Sequence, residues 1–219
     1  SHEINIDIFI TNIGKIDLFF KNKKNINHIR VDVSVSSIES NAFSECLSLK
    51  QISIPPPVSL IGSNSFLQCT SLKQIKIPCS IIEIKEGTFK ECSSLIKVEI
   101  PNSVTSIESD SFYGCSSLKE ITIPSSVKSI GNNVFKGCFS LTKVDIFSSI
   151  KYIGNNIFNG CISLKKILIP SSVETIGNDA FNGCSSLTKI TIPLSVKKIG
   201  NGVFYDCSSL KTITIPSSV

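Results

Sequence analysis

The chain has 219 residues, 41% hydrophobic and 18% charged, with a formal net charge of +5, an ordinary soluble composition for one or two domains. That charge permits an acidic partner without requiring one. No apolar run approaches the roughly 18 residues a membrane-spanning helix needs, so membrane insertion is not expected.

The opening SHEINIDIFITN holds no basic stretch followed by a continuous apolar core, so no signal peptide is read in it. There is no initiating Met, which reads as a processed or excised chain with Ser1-His2 as a scar. Residues 1–32 are expected to form degenerate N-terminal capping repeats. There Ile6, Ile8, Phe20, Ile26, Ile29 and Val31 keep phase with the downstream units, Ile13 and Ile16 fall one residue late, Lys23 replaces Cys and Asp32 replaces Pro.

From 33 to 219 the chain reads as about eight tandem units of 23 residues, the signature of a solenoid. Phe recurs at 43, 66, 89, 112, 135, 158, 181 and 204, and Leu at 49, 72, 95, 118, 141, 164, 187 and 210. Within a unit, SLKEITIP (117–124) alternates polar and β-branched residues, which predicts a short strand with one buried face. Proline ends each such strand because it cannot donate to the next ladder bond; Phe147 is the exception. SVKSIG predicts a second short extended piece with Val and Ile inward. NNVFKGC predicts a helical turn with Phe and Cys on one face. It is led by Ser or Asn at 40, 63, 109, 132, 155, 178 and 201 as N-caps with Glu86 the misfit, and closed by Gly114, Gly137, Gly160 and Gly183. No unit can bury these faces alone, but stacked neighbours can. The expected core ladder is therefore Phe43/Cys46, Phe66/Cys69, Phe89/Cys92, Phe112/Cys115, Phe135/Cys138, Phe158/Cys161, Phe181/Cys184 and Phe204/Cys207. The chain stops at IPSSV in mid-unit, so an open C-terminal rung pairing with a second copy is a further expectation.

The stretch ITIPSSVKSIGNNVFKGCFSLTKVDI (121–146) is similar to LxxIxIPxSVxxIGxxAFxxCxSL, the repeat of the BspA-type leucine-rich repeat family. The resemblance covers about residues 33–219. It implies an α/β repeat solenoid of the leucine-rich-repeat kind, a curved superhelix with a parallel β-sheet on the concave face and short helical turns on the convex face. It also implies a binding role, often adhesion, and no catalysis. The family shares no universal ligand residues, so none is carried over.

Eight cysteines at one fixed interval, with no CxxC pair and only His2 and His28 as other soft ligands, do not converge as a metal site. Buried free thiols are expected, because every inner Cys would have two equal neighbours. Cys79, which follows Pro78 off the ladder, is the expected exposed thiol. No Ser-His-acid order, nucleophile elbow or HExxH helix is present, so neither an enzyme nor a cofactor is expected. His28 in KKNINHIRVDV reads as a surface residue of the cap.

The residues expected to face out of the strands carry the partner hypothesis: Lys76, Lys97, Lys119, Glu120, Lys143, Asp145, Lys165, Lys166 and Lys189. Lys143, Lys165, Lys166 and Lys189 crowd adjacent rungs, so they are either solvated or matched by the carboxylates of an acidic protein segment. Nucleic acid is disfavoured, since Arg30 is the sole Arg and no aromatic interleaves with the basic column. A noncatalytic protein-binding adhesin or scaffold is thus expected, with a self-assembling structural protein or an intracellular regulatory scaffold as the alternative. On location the sequence divides: expected free thiols, no N-x-S/T acceptor and no signal peptide favour the cytoplasm. The family resemblance points to the cell surface or secretion.

Overall fold

Each unit closes one rung in the computed structural model, which describes residues 7–10 and 23–219. Ser1, His2, Ile6, Ile13, Ile16 and Phe20 lie outside the described residues. A rung has two short strands and a turn segment, and each part bonds the equivalent part of its neighbours. The first strands, from Gln51–Ser53 through Lys189–Thr191, pair in parallel with side chains alternating out, in, out. The second strands, from Ser37–Ile38 to Lys198–Ile199, are two-residue pieces that pair likewise. At the upstream end Ile8 lies opposite Ile29 and Ile10 opposite Val31. The phase read from Ile6 and Ile8 is therefore off by two residues, because this first step is shorter than the later ones.

The expected helical turns are absent. The segments around Phe43 to Phe204 are non-helical turns, and the one helical piece among the described residues is a 3-10 turn at Lys23–Asn25. Cys46, expected on a short helix with Phe43, instead lies just past a turn, and its amide donates to Phe43 O three residues back at 3.2 Å. The reason is where the amides point. In the turn of Phe135, the N–H groups of Lys136 and Cys138 donate back within the rung to Asn133 O and Phe135 O. Those of Asn133, Phe135 and Gly137 donate forward to Asn155, Ile157 and Asn159 of the next rung. An α-helix would instead point every amide the same way along its own axis. Two left-handed residues per turn impose this alternation, for example Asn133 (φ 57°) and Gly137 (φ 74°). The first of these columns is Asn41, Asn64, Gly87, Asp110, Asn133, Asn156, Asp179 and Gly202, the residue types that tolerate positive φ.

The Ser and Asn residues read as helix caps do a different job. Asn132 Oδ1 accepts from Asn155 N–H at 2.8 Å, and Asn155 Oδ1 and Asn178 Oδ1 accept from Asn178 and Asn201 in the same way. Ser109 Oγ likewise accepts from Asn132 N–H, so each of these four side chains satisfies an amide one rung onward. Cap chemistry is retained, but it runs between units.

Inside, the Phe column stacks with neighbouring ring centroids 5.3 to 5.8 Å apart. Phe43 through Phe181 are 1% exposed or less, and only Phe204 is partly open. Beside it runs the Cys column, from Cys46 to Cys207, buried throughout and with no disulfide in it. From Cys69 onward each thiol donates to the carbonyl of the preceding rung's Phe, as Cys69 Sγ does to Phe43 O at 3.1 Å and Cys138 Sγ to Phe112 O at 3.3 Å. Phe43 O therefore takes the Cys46 amide and the Cys69 thiol together, and Phe112 O takes the Cys115 amide and the Cys138 thiol. The thiol thus fills the carbonyl's second acceptor position, and burial pushes the Cys92 thiol up to about 12. Such sulfurs stay protonated donors near neutral pH and are poor nucleophiles.

Both ladders are interrupted twice, first between Gln51–Ser53 and Gln74–Lys76 on one face and between Leu60–Ile61 and Glu83–Ile84 on the other, and again further along. On the first face pairing runs from Gln74–Lys76 to Lys143–Ile146 and restarts at Lys166–Leu168; on the second it stops at Ser129–Ile130 and restarts at Tyr152–Ile153. The segment 147–151 lies between, while the turn face, Phe column and Cys column continue across it. Phe147 occupies the proline position and has the amide that proline lacks. It donates to Ile123 O at 2.9 Å, holding its strand to the preceding rung.

On the outer side of the second strands, Glu174 accepts from both Lys151 (2.6 Å) and Lys197 (2.9 Å). These two hydrogen bonds hold its carboxyl down at about 2. A depressed acid contributes stability that is present above its unfolded value, near 4.5, and lost as pH falls through about 2. Carboxyl-carbon NMR should place the Glu174 midpoint near 2 in the native chain and return it toward 4.5 in Lys151→Gln/Lys197→Gln. A native midpoint at the ordinary value would mean that the ion triad does not hold in solution.

Candidate functional site

The first sheet presents two outward columns, exposed throughout except at the half-buried Asp145. One is Gln51, Gln74, Lys97, Glu120, Lys143, Lys166, Lys189 and Thr212; the other is Ser53, Lys76, Glu99, Thr122, Asp145, Leu168, Thr191 and Thr214. Alternation places them outward because the intervening Ile and Val residues fill the core. Lys119 and Lys165, one residue before their strands, are also exposed.

The charges divide unevenly along the solenoid. Toward the N-terminal side, Lys97 Nζ meets Glu99 Oε1 at 2.7 Å and Lys143 Nζ meets Asp145 Oδ2 at 2.8 Å. Hydrogen bonding to these carboxylates raises both ammonium groups above their usual range, and the Lys97 bond holds Glu99 below its own. Glu120 sits in register between Lys97 and Lys143, and Lys76 lies opposite Glu99. On the C-terminal side Lys166 lies directly opposite Lys189. Among the described residues no ion pair includes Lys165, Lys166 or Lys189. The four-lysine crowd read from the sequence thus loses Lys143 to Asp145 and keeps three unneutralised members.

The same half carries apolar surface that the sequence reading did not include. Leu168 is 76% exposed, Phe147 67% and Leu194 81%. Phe147 and Leu168 line a groove of about 580 Å³ where the ladders break, together with Pro170, Thr191 and Pro193. Ser148 also lines it, 3% exposed, and its Oγ has no hydrogen-bond partner. The available signal was Phe147 itself, the one non-proline at its position within residues 33–219. Depressions of about 470 and 290 Å³ elsewhere on this face are lined by strand residues such as Lys97, Glu99 and Glu120 or Gln74 and Lys76.

Among the described residues no cluster of His, Cys, Asp and Glu could hold a metal, and no helix is long and apolar enough to cross a membrane. Cys79 is exposed and free, in the turn that follows the strand Gln74–Lys76.

Stacked parallel rungs with a repeated Leu, Phe and Cys core define a leucine-rich-repeat solenoid. The chain belongs to the BspA type leucine-rich repeat region family, whose model matches residues 11–142 and 128–219 in six copies. No curated protein matches the sequence. Among solved structures it is similar to a leucine-rich repeat protein from Eubacterium ventriosum, at 19% identity and TM-score 0.64, covering 97% of this chain and 84% of that one. It is also similar to the T. pallidum leucine-rich repeat protein TpLRR, at 25% identity and TM-score 0.60, covering 84% and 78%. A third is the pneumococcal vaccine antigen PcpA, at 21% identity and TM-score 0.65, covering 89% of this chain and 52% of that one.

Proposed function

We propose that the chain is a noncatalytic interaction module that binds a protein partner through the open face of the first sheet, the face the family resemblance makes concave. One observation carries this reading: the inward column of the strands holds only Ile and Val, while the two outward columns vary in charge, size and polarity. Variation confined to an exposed, pre-formed surface suits partner recognition, because it leaves the stacking untouched. The Lys, Glu and Asp residues of that face would supply electrostatic matching and speed encounter.

The test is capture from extract by the wild-type chain and by two charge-reversed triples. Lys143→Glu/Lys166→Glu/Lys189→Glu alters the first sheet, and Lys128→Glu/Lys136→Glu/Lys198→Glu alters the rest of the surface by the same charge. Loss of a captured protein with the first triple alone supports the assignment. Equal capture by all three proteins, or equal loss with both triples, rejects it.

A further inference from the structure

The C-terminal half of that face combines three features: unneutralised lysines, exposed apolar side chains and an interrupted hydrogen-bond ladder. Lys166 and Leu168 stand two apart on one strand and so share its outer side. Across the ladder Lys166 faces Lys189 and Leu168 faces Thr191. Two parallel lines therefore run along the solenoid axis, a basic one of Lys166 and Lys189 and a second in which Leu168 is followed by Thr191, and both residues of the second line border the groove beside Phe147. Like charges in direct register are destabilising unless solvated or matched from outside. Exposed Phe and Leu lose the most by staying in water.

We propose that this groove is a docking site for an extended acidic segment of another protein, one in which acidic and apolar residues alternate. In an extended segment successive side chains point to opposite sides. Laid along the axis between the two lines, such a segment turns its carboxylates toward Lys165, Lys166 and Lys189 and its apolar side chains toward Leu168, Phe147 and the groove. A uniformly acidic polymer meets only the first line, and an apolar peptide only the second. The proposal rests on the first-sheet reading above and narrows it to one half of the face and one partner chemistry.

The test is fluorescence anisotropy at two salt concentrations with three labelled peptides of equal length: alternating Glu and Phe, alternating Glu and Ser, and alternating Lys and Phe. The Glu/Phe peptide should bind saturably and the other two at least about tenfold more weakly, since losing either charge matching or an anchor typically costs a factor of this order. Lys166→Glu/Lys189→Glu should weaken Glu/Phe binding by about tenfold or more, with a reduced salt dependence. Leu168→Ser should weaken it several-fold with the salt dependence kept, and Lys76→Glu should leave it unchanged. All these positions are exposed, and far-ultraviolet dichroism checks that each variant is folded. Equal binding of the Glu/Ser peptide would make the face a general polyanion attractor and overturn the proposal. So would an equal effect of Lys76→Glu, no saturable binding, or concentration-dependent self-association lost in Leu168→Ser, which assigns the groove to a second copy. Should these fail while the first-sheet charge triple still abolishes capture, the broader reading stands and only the groove assignment falls.

Discussion

Replacing Phe135 by alanine is expected to lower the unfolding free energy by about 3–5 kcal/mol, the usual cost of truncating a fully buried Phe. Its ring is 0% exposed and stacks between Phe112 at 5.7 Å and Phe158 at 5.6 Å. Truncation removes two stacked contacts and leaves a void that the stacked rungs cannot easily close, because hydrogen bonds along the first strands and the turn face set their spacing. In a solenoid each rung contacts only its neighbours, so the defect should also uncouple the halves on either side. Thermal unfolding followed by circular dichroism should show a lower midpoint and a broadened or split transition. The control is Phe147→Ala at 67% exposure, where a change within about 0.5 kcal/mol is expected. Equal midpoints for the two variants would mean that the Phe column does not carry the fold.

Deleting residues 101–123 should be far less damaging than deleting 101–112, although it removes more of the chain. The first deletion joins Ile100 to Pro124, so Phe89 meets Phe135 and Cys92 meets Cys138 with every column in phase. The product should fold with one rung fewer and melt cooperatively, losing one rung's share of the stability. The second deletion removes Phe112 but retains Cys115 and Leu118, so one unit has half its faces and the ladders cannot close across it. Loss of the cooperative transition is expected for at least the rungs it joins. The comparison needs only expression, dichroism and a melt. If both deletions melt alike, neighbour stacking in phase is not the source of stability.

The legible part of the fold was the part decided by equivalence between units. Residues such as Phe135 and Phe158 touch because they occupy the same place in successive rungs, so a strict interval in the sequence is itself a list of contacts. The strands also showed, since alternation around Ile121 or Ile167 has a period of two. Ile8 was misplaced because the first step is shorter, and a fixed interval cannot reveal its own exception. The turn face, from Phe43 and Cys46 onward, was misread for a different reason. NNVFKGC has the length, cap and closing Gly of a short helix, and local rules choose the helix. Seven residues make a marginal helix alone, whereas the neighbouring rung offers acceptors to Asn133, Phe135 and Gly137. The Asn, Asp and Gly column at 41 through 202 was the available clue, visible only once positive φ is asked of it.

By itself, then, the sequence determined the repeat, the buried columns, the family and the outward residues of the first sheet, because each depends on side-chain type at a fixed interval. Only the tertiary structure decided that the turn amides bond between rungs, that Asn132 and Asn155 cap their neighbours, and that both ladders break at 147–151. It also decided that Asp145 neutralises Lys143 while Lys166 stands against Lys189. Those outcomes follow from the free energy of placing one rung against another, where a hydrogen bond or ion pair forms only if the neighbour supplies its partner at the right height. That height is a property of the stack, and no single unit contains it.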